Sequence, residues 1–450
     1  MWTHIHFIGI SGISMGGLAK YIQIKYPHIN ITGHTNIEDY SMKNILINGD
    51  LKTFIHDISV CVVSSSIKEN HPELSIIKAH NIPVIHRSNL LNILTKNSLL
   101  QQYLSKELIT LNNERIAVVG AHGKTSITTY LHQLLGALKP TTFLGGLLKN
   151  GESFAIGGND LYIIESDESD KSFLNLSSTY TIIPNLDDDH LENYNNSYEE
   201  YLATFEEYMI KIKNKNSCVI YYEDNFLKDM LQKHQIYNIS YGIIGNNVNI
   251  EILETIDMLK WKLHTDLPLL NSINQRIFEV KMIGLWNIYN ITAAIIMATI
   301  QKIPVEDYLH LYKPDRRCEI IYQQQDTIII DDYGVHPTEI AHVLDAYLQK
   351  YSKDDLYVIW QPHRLTRLRA LKDKFKEVFS KINSNNLFYT PIYEVDNHTP
   401  TEEWKSHITY GLFINYENIS NLLKNLKGKK IILFNAGNLH TKIKDIIKSW

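Results

Sequence analysis

A glycine turn followed by lysine and threonine is the stretch of this sequence that most directly indicates chemistry. In "IAVVGAHGKTSITTYLHQLL" an apolar strand precedes a turn that starts at Gly120, and Lys124 and Thr125 open a helix. Backbone N–H groups of such a turn bind phosphates, the lysine contacts the β- and γ-phosphates, and the hydroxyl binds Mg²⁺. A helix-capping turn with a surface lysine is the weaker alternative, because strand, turn, hydroxyl and helix occur here in order. We predict that the nucleotide phosphates contact Gly120, Ala121, His122, Gly123, Lys124, Thr125 and Ser126.

Acidic side chains follow the next two apolar strands, where a metal-binding carboxylate is expected. "LYIIESDESD" places Glu165 at the end of one strand, and "TIIPNLDDDH" places Asp189 and His190 after the next. Carboxylates at strand ends beside a phosphate loop hold Mg²⁺ in such folds. We therefore predict a site for one or two metal ions with Thr125, Glu165 and His190 as ligands. The remaining acids of the first loop are interpreted as a solvated acidic turn: Asp167, Glu168 and Asp170.

A second turn of the phosphate-binding kind lies close to the start of the chain. The apolar run "IHFIGI" leads into "GISGISMGG", from Gly9 to Gly17. The dinucleotide-binding fingerprint has glycine at its first, third and sixth positions, and Ser11 and Ser14 occupy the last two of these. An NAD-dependent dehydrogenase is therefore disfavoured, and the chain carries two phosphate-binding turns, one of which departs from the usual pattern.

The composition is that of an ordinary globular protein. The chain has 450 residues, 44% of them hydrophobic and 21% charged, with a formal net charge of -5. This charge gives no general attraction to nucleic acid or to anionic lipid, and no apolar run approaches the length of a membrane span. Three cysteines cannot form a disulfide framework, and the N-terminus lacks the basic start and cleavage site of a signal peptide. We expect a cytoplasmic protein with neither nucleic-acid nor membrane partners.

Short apolar runs alternate with helical patterns along most of the chain, which predicts parallel sheets covered by helices. Each of three segments begins a new series of strands, so we predict three α/β domains at 1–98, 99–313 and 314–450. "NLLNILTKNSLLQQYLSKELI" is predicted to form a helix that leads out of the first domain. The stretch "VNIEILETIDMLKWKLH" is ambiguous and is compatible with a β-rich appendage.

The order and spacing of several motifs resemble those of the Mur ligases. The motifs are "GAHGKTSITTYL", "ESDESDKSFL", "IIPNLDDDHLENY", "IDDYGVHPTEI" and "WQPHRLTRLRAL", and the similarity runs from Gly9 to "FNAGN" near the end. The shortened phosphate loop, with Val118 where the full pattern has glycine, is also this family's form. The resemblance implies a Rossmann-like domain for a UDP-sugar, a central P-loop domain for ATP, and a Rossmann-like C-terminal domain that brings an amino acid.

The resemblance also implies an activity and a set of site residues. The expected enzyme is an ATP-dependent ligase that joins L-alanine to the lactyl carboxylate of UDP-N-acetylmuramate through an acyl phosphate, in peptidoglycan precursor synthesis. Catalysis would rest on Lys124, Glu165 and His190 with Mg²⁺. The implied adenine and ATP contacts are Asn287, Asn290, Arg317 and Asp332. The implied substrate contacts are Gly9, Ser11, Gly12, Ser64 and Ser65 for the UDP-sugar, and Tyr333, His336, Arg364 and Arg367 for the amino acid, whose carboxylate suits an arginine fork.

This sequence departs from the family pattern at several of these places. Beyond Ser11 and Ser14, Trp286 replaces a histidine near the adenine, either stacking there or packing in the core. Val335 replaces a histidine of the amino-acid loop, and His34-Thr35 replaces Ser-Asp. Two alternatives stay open: a ligase that recycles a ready-made tripeptide onto UDP-N-acetylmuramate, and a degenerate, non-catalytic nucleotide-binding relative. A monomer or a homodimer is expected.

Overall fold

The computed structural model of the protein describes residues 2–37, 40–96, 114–158, 161–213, 218–394, 402–448 and 450. Strands in these ranges form three separate sheets of five, eleven and six strands. The α/β class is confirmed, with one sheet in each of three consecutive segments. The predicted boundary at 98/99 and most of the helix predicted to span it lie outside the described residues, so the domain limits stay predictions.

The first sheet is wholly parallel and has the strand order β3-β2-β1-β4-β5. Its strands are β1 (His4–Ile8), β2 (Asn30–His34), β3 (Leu46–Ile47), β4 (Val60–Val63) and β5 (Val84–His86). Its helices are α1 (Ile13–Lys25), α2 (Pro72–Ala79) and α3 (Arg87–Thr95). The two histidines buried in β1 stay hydrogen-bonded, since His4 and His6 share the hydroxyl of Thr32 at 2.9 and 2.8 Å.

The second sheet has its parallel core at β13-β12-β11-β10-β6-β9-β7, and antiparallel strands extend it on both sides. Its strands are β6 (Glu114–Val118), β7 (Thr141–Phe143), β8 (Phe154–Ala155), β9 (Leu161–Glu165), β10 (Tyr180–Ile183), β11 (Cys218–Tyr222), β12 (Asn238–Gly242), β13 (Val248–Glu254), β14 (Leu259–His264), β15 (Ile277–Val280) and β16 (Tyr308–Leu309). Its helices are α4 (Lys124–Leu134), α5 (Tyr198–Lys213), α6 (Asn225–Lys233) and α7 (Leu285–Ile300). The ambiguous stretch is thus no separate appendage: β13 pairs with β12, and β14 turns back against β13.

The third sheet has the order β17-β18-β22-β19-β20-β21, and only the β17–β18 pair is antiparallel. Its strands are β17 (Glu319–Gln324), β18 (Thr327–Asp332), β19 (Leu356–Trp360), β20 (Leu387–Tyr389), β21 (Leu412–Phe413) and β22 (Lys430–Phe434). Its helices are α8 (Pro337–Lys350), α9 (Leu365–Ala370), α10 (Lys372–Phe379), α11 (Ile419–Asn425) and α12 (Leu439–Ile447).

The strand order of the central sheet positions the site. Strand β6, which leads into the phosphate loop, lies between β9 and β10. The loops that follow these three parallel strands therefore meet at one sheet edge, where ligands bind in open α/β sheets. Within the described part of the chain, none of the helices has the length and apolar character needed to cross a membrane.

Candidate active site

The phosphate loop has a backbone that only glycine accommodates at its two ends. Gly120 has φ 140 and Gly123 has φ 83. A Cβ atom at Gly123 would lie 2.7 Å from Oδ1 of Asn290, and one at Gly120 would lie 2.7 Å from the carbonyl oxygen of Asn185. Gly123 is also the N-cap of α4, so no capping side chain occupies the first amides of the helix. This leaves the positive end of α4 available to an anion.

Lys124 is held by its own loop and by an acidic side chain. Its Nζ donates to the carbonyl oxygens of Gly120 and Ala121 at 2.6 and 3.0 Å, and to Oε2 of Glu168 at 2.5 Å. Burial alone lowers the pKa of Lys124, but the carboxylates of Glu168 and Asp167 outweigh it and hold the pKa above its ordinary value. The lysine is therefore a fixed cation at the loop.

The interpretation of the "DESD" acids as a solvated turn is wrong. The side chain of Glu168 is 3% exposed and pairs with Lys124. Asp167 pairs with Arg87 of the N-terminal domain at 3.1 Å, and Asp170 accepts a hydrogen bond from Ser65. Because the apolar strand β9 ends beside the phosphate loop, the acids that follow it meet the loop lysine and the neighbouring domain, and of the three only Asp167, 38% exposed, also keeps substantial contact with solvent.

Thr125 and Glu165 are brought together as the sequence predicts. The hydroxyl of Thr125 donates to Oε1 of Glu165 at 2.8 Å, and the amide of Gly145 donates to Oε2 at 2.7 Å. Glu165 ends β9, which pairs in parallel with β6 immediately before the loop. A hydroxyl and a carboxylate oxygen side by side are hard oxygen ligands of the kind Mg²⁺ prefers.

His190 makes its described contacts with a different group of residues. Its Nε2 lies 3.5 Å from Asp189 and 3.4 Å from Nη2 of Arg367, and its Nδ1 lies 3.6 Å from Glu192. His190 also has φ 58, a left-handed conformation that is uncommon outside glycine. The structure thus places His190 with the arginine of the C-terminal domain, and its membership of the metal site stays a prediction.

Two cavities lie on either side of the phosphate loop and share Gly123, Arg317 and Glu339. The larger, of about 390 Å³, is lined by His122, Asn185, Asp187, Trp286, Asn287, Asn290 and Asp332, among others. The smaller, of about 270 Å³, is lined by Ser14, Arg87, Lys124, Thr125, Glu165 and Tyr333, among others. The larger has the size and mixed lining of a nucleoside site, and the smaller contains the groups suited to phosphate and metal.

Four residues of α7 line the larger cavity: Trp286, Asn287, Tyr289 and Asn290. The Oδ1 of Asn287 accepts from the hydroxyl of Tyr130 at 2.9 Å, and its Nδ2 donates to the carbonyl of Ile283 at 2.9 Å, so this asparagine also braces the wall. Trp286 lines the cavity and packs beside His342, with ring centroids 6.2 Å apart. Its ring folds over Gly284, where φ is 96 and a Cβ would meet the indole at 2.0 Å. Trp286 therefore contributes both to the cavity and to packing against the C-terminal domain.

The residues implied for ATP contact at the hinge are tied to one another. Arg317 donates to Oε1 of Glu339 at 3.1 Å, and Glu339 closes a capping box at the start of α8. Asp332 accepts from the amides of Cys318 and Gly334, each at 2.8 Å. Burial alone raises the pKa of Glu339, but Arg317 and His122 outweigh it and lower the pKa to about 2.

Glu339→Gln should lower the free energy of unfolding by about 1.5–3 kcal/mol at pH 7, because it removes a charge-assisted bond to Arg317. Since the pKa of Glu339 is lowered in the folded chain, its stabilisation is present above the ordinary glutamate pKa of about 4.3 and is lost as the pH falls towards 2. Urea unfolding at neutral and acidic pH should show that the difference in free energy of unfolding between the wild type and Glu339→Gln becomes smaller as the pH falls. Glu403→Gln, which removes an exposed pair with Arg369, should change little at either pH. A constant difference across pH would contradict the assignment.

The N-terminal turn keeps its backbone shape despite its serines. Within the described residues, the left-handed conformation in this turn is confined to Gly9, with φ 82, so neither Ser11 nor Ser14 needs glycine's freedom. The hydroxyl of Ser11 pairs with that of Thr35 at 2.5 Å, which joins two of the departures from the family pattern. Gly12 is the N-cap of α1 and leaves its first amides without a capping side chain.

The serine cluster after β4 faces the central domain. Ser65 bonds Nε2 of His86 at 3.0 Å as well as Asp170, while Ser64 bonds Ser66 at 2.7 Å. Ser65 therefore connects the predicted UDP-sugar domain to the loop that carries Glu168. Its contact with the sugar nucleotide stays a prediction.

The two arginines after β19 each meet an acid of the stretch "DDDHLE". Arg367 forks onto Asp189, with Nε–Oδ1 at 3.1 Å and Nη2–Oδ2 at 3.3 Å, and Arg364 lies 3.7 Å from Glu192. Arg364 has φ 64 and is the N-cap of α9, a strained conformation typical of functional positions. The two arginines implied for the amino-acid carboxylate, which we call the clamp, thus pair with carboxylates of their own chain in this structure.

The other two residues implied for the amino acid lie elsewhere. His336 is fully buried, caps α8, and has its Nδ1 3.4 Å from Oδ2 of Asp187. Tyr333 is exposed and lies under the guanidinium groups of Arg316 and Arg317, 5.1 and 5.6 Å from its ring centre. Neither is in a described contact with Arg364 or Arg367, so their role in amino-acid binding stays a prediction.

Comparison with known proteins agrees with these features. Residues 4–98 match the model described as the Mur ligase family catalytic domain, and residues 118–298 match the Mur ligase middle domain. The chain is 32% identical over 461 residues to the UDP-N-acetylmuramate–L-alanine ligase of Pelagibacter ubique, covering 98% of this chain and 92% of the relative. The enzyme of the same name from Aquifex aeolicus is 31% identical over 402 residues, with 86% and 83% covered.

The fold is also that of a solved relative. The crystal structure of the UDP-N-acetylmuramate–alanine ligase of Thermotoga maritima matches with a TM-score of 0.74 at 20% identity, covering 99% of this chain and 98% of that one. This likeness concerns the fold, while the family is carried by the matched domain models and by the identity to the Pelagibacter and Aquifex relatives. On these grounds the chain belongs to the Mur ligase family.

Proposed function

We propose that this chain joins L-alanine to the lactyl carboxylate of UDP-N-acetylmuramate, with ATP converted to ADP and phosphate. Mur ligases use ATP, and the relatives that match along most of this chain are named for this reaction. The names favour single-amino-acid ligation over tripeptide recycling. The retained loop lysine, strand-end carboxylate and arginine pair favour an active enzyme over a degenerate binding protein.

One observation carries the proposal: the smaller cavity is lined by residues from all three segments of the chain. Ser14 and Arg87 come from the first, Lys124 and Glu165 from the second, and Tyr333 from the third. A reaction between a sugar nucleotide, ATP and an amino acid needs a place where three binding domains meet. The cavity beside the phosphate loop is such a place.

The first step is the transfer of the ATP γ-phosphoryl group to a lactyl carboxylate oxygen, which gives an acyl phosphate and ADP. The protein contributes positioning and neutralisation of charge, as in other phosphoryl transfers. Lys124 exchanges its contacts with Glu168 and the loop carbonyls for phosphate oxygens. The amides at the start of α4 hold the phosphates, and Arg317 lies where the two cavities join.

The second step is attack of the amino group on the acyl phosphate carbon, followed by departure of inorganic phosphate. The amine must be oriented towards that carbon, and binding of the amino-acid carboxylate provides this orientation. Arg364 and Arg367 are the arginine pair that the C-terminal domain brings to the central domain at Asp189 and Glu192. The incoming carboxylate therefore competes with these two acids for the guanidinium groups.

Mg²⁺ fits the oxygen pair formed by Thr125 and Glu165. Both are side-chain oxygens, they lie 2.8 Å apart, and they line the cavity that Lys124 lines. When bound there, the ion supplies charge neutralisation to the transferring phosphoryl group. The Thr125 hydroxyl and the Glu165 carboxylate orient one another for that role, and the Gly145 amide fixes the second carboxylate oxygen.

Glu165→Ala should raise the Mg²⁺ concentration needed for half-maximal turnover by about ten- to a hundredfold, because it removes one of the two oxygen ligands. Phosphate release measured against Mg²⁺ concentration checks this. Glu152→Ala removes a half-buried glutamate that is paired with Lys20 and lies outside both cavities, and should leave the titration unchanged. An unchanged titration in Glu165→Ala would remove this residue from the metal site.

The proposal is tested by phosphate release with ATP, Mg²⁺ and UDP-N-acetylmuramate, with each candidate acceptor added in turn. L-Alanine, glycine, L-serine and the stem tripeptide L-Ala-γ-D-Glu-meso-diaminopimelate form the panel. Turnover that depends on L-alanine, with the ligated product seen by mass spectrometry, is the expected result. Turnover with the tripeptide alone would favour the recycling ligase, and no turnover with any acceptor would favour the degenerate relative.

A further inference from the structure

Two histidines and an aspartate converge where the C-terminal domain meets the phosphate loop. Nε2 of His122 lies 2.8 Å from Oδ2 of Asp187, and Nδ1 of His336 lies 3.4 Å from the same oxygen. One potential ligand atom from each residue lies within 4.8 Å of the others, and within the described ranges these three form the only such group of three or more. His122 belongs to the loop before α4, Asp187 follows β10, and His336 caps α8.

We propose that this cluster binds a divalent transition-metal ion of the Zn²⁺ class. Ligand atoms about 2.0–2.2 Å from a tetrahedral ion lie about 3.3–3.6 Å from one another. The His336–Asp187 distance matches this spacing, and the His122–Asp187 distance is that of a hydrogen bond whose proton the ion replaces, so small movements around a common centre would form the site. Two imidazoles with one carboxylate favour Zn²⁺, Co²⁺ or Ni²⁺ over Mg²⁺, which prefers oxygen ligands alone.

Neighbouring groups orient these ligands. Glu339 lies 3.8 Å from Nδ1 of His122, which leaves Nε2 to face Asp187, and Thr338 donates its hydroxyl to Oδ2 of Asp187 at 2.8 Å. A carboxylate behind a metal-bound histidine is a recurrent feature of metal sites. Nδ1 of His336 accepts a hydrogen bond from the amide of Thr338 at 3.3 Å as the cap of α8, and a metal ion bound at Nδ1 takes the place of this hydrogen bond.

The site differs in place and chemistry from the Thr125–Glu165 pair. Its ligands come from both the central and the C-terminal domains, whereas Thr125 and Glu165 both belong to the central domain. His122 and Asp187 also line the larger cavity, so a coordination position left open on the ion faces the nucleoside site. The bound ion ties the C-terminal domain to the phosphate loop.

Metal binding is tested on the whole chain, stripped of metal and without nucleotide or substrate, by equilibrium dialysis with Zn²⁺ and by the visible spectrum with Co²⁺. We expect stoichiometric binding in excess Mg²⁺ and the absorption of a tetrahedral nitrogen–oxygen site. His336→Ala and Asp187→Asn should each weaken binding by at least about tenfold. His342→Ala removes an imidazole from the same helix outside the cluster and should not change the affinity.

Thermal unfolding provides a second measurement that does not depend on ligase activity. Zn²⁺ should raise the unfolding temperature of the wild type and of His342→Ala, because it binds the folded chain, and should not raise that of His336→Ala or Asp187→Asn. The metal-free curves show whether each variant folds. Absence of stoichiometric binding, equal affinity in all variants, or a cobalt–thiolate band would overturn the proposal. None of these outcomes would bear on the proposed ligase reaction.

Discussion

Lys124→Ala should lower the ligation rate by about a hundred- to a thousandfold while leaving the affinity for UDP-N-acetylmuramate within about twofold. Removing one fixed charge or donor from a preorganised site commonly costs about 10²–10³ in kcat. Here the lysine is a buried cation at the phosphate loop, and its pKa is held above the ordinary value against the effect of burial. The turn at Gly9 lies in another domain, so binding of the sugar nucleotide should persist.

The measurement separates these two effects. Steady-state phosphate release gives the loss in kcat, and calorimetric titration of the inactive variant with UDP-N-acetylmuramate gives its affinity. Lys20→Ala is the matched control. Lys20 also pairs with a glutamate of the central domain, Glu152, but its side chain is 41% exposed and lies outside both cavities. Near-normal turnover in Lys124→Ala would show that the ATP loop has been misassigned.

Glu168→Gln gives the same assignment a finer test. The sequence gives no reason to pair a glutamate of the acidic turn with the loop lysine, yet Glu168 is buried against it. A neutral partner should loosen Lys124 in the free enzyme, so kcat should change more than the UDP-sugar affinity does. If Glu168→Gln changed only the free energy of unfolding and not kcat, the Lys124–Glu168 pair would have a structural role alone.

The parts of the site that sequence reasoning predicted are those fixed by strand order. Thr125 and Glu165 follow two strands of one parallel sheet, and neighbouring strand ends bring them within hydrogen-bond distance. The α/β class followed from the same alternation of strands and helices. Short-range pattern was enough because each of these residues lies directly at the end of a regular element.

The parts that could not be predicted depend on contacts between domains. Asp189 and Arg367 are 178 positions apart, and nothing in either motif shows that one binds the other. Arg87 was not singled out, although it reaches Asp167 across a domain boundary. The departure of Ser11 and Ser14 from the fingerprint is visible in the sequence, but its consequence is not: the structure requires the left-handed conformation only at Gly9 among the three fingerprint positions.

Arg367→Ala and Arg364→Ala should each raise the KM for the amino acid by about ten- to a hundredfold with little change in the KM for ATP. A charge-assisted hydrogen bond contributes about 1.5–3 kcal/mol, and each variant removes one such interaction with the amino-acid carboxylate. The two variants should differ in stability, because the side chain of Arg367 is 6% exposed and forks onto Asp189, whereas that of Arg364 is 36% exposed. Arg369→Ala, which removes an exposed arginine of the same helix, is the control.

A substitution of Asp189 tests what its pairing with Arg367 does to amino-acid binding without removing either arginine. If the amino-acid carboxylate must displace Asp189 from Arg367, Asp189→Asn should weaken that competition and lower the KM for L-alanine, even where it lowers stability. If Asp189 instead holds Arg367 in place for the substrate, the same variant should raise the KM. Denaturant unfolding measured alongside KM separates loss of the fold from loss of the clamp.

Val335→His restores the imidazole that the family pattern has in this loop. The amide of Val335 donates to Oε2 of Glu339 at 3.1 Å, so the backbone of the position is fixed by the start of α8 and a new side chain should not displace the loop. An added donor should lower the KM for L-alanine if the loop keeps the family geometry. An unchanged or higher KM for every amino acid would mean that this pocket has been rebuilt around valine. If Arg364→Ala and Arg367→Ala were also without effect, the clamp would be misassigned and another acceptor would have to replace L-alanine in the reaction.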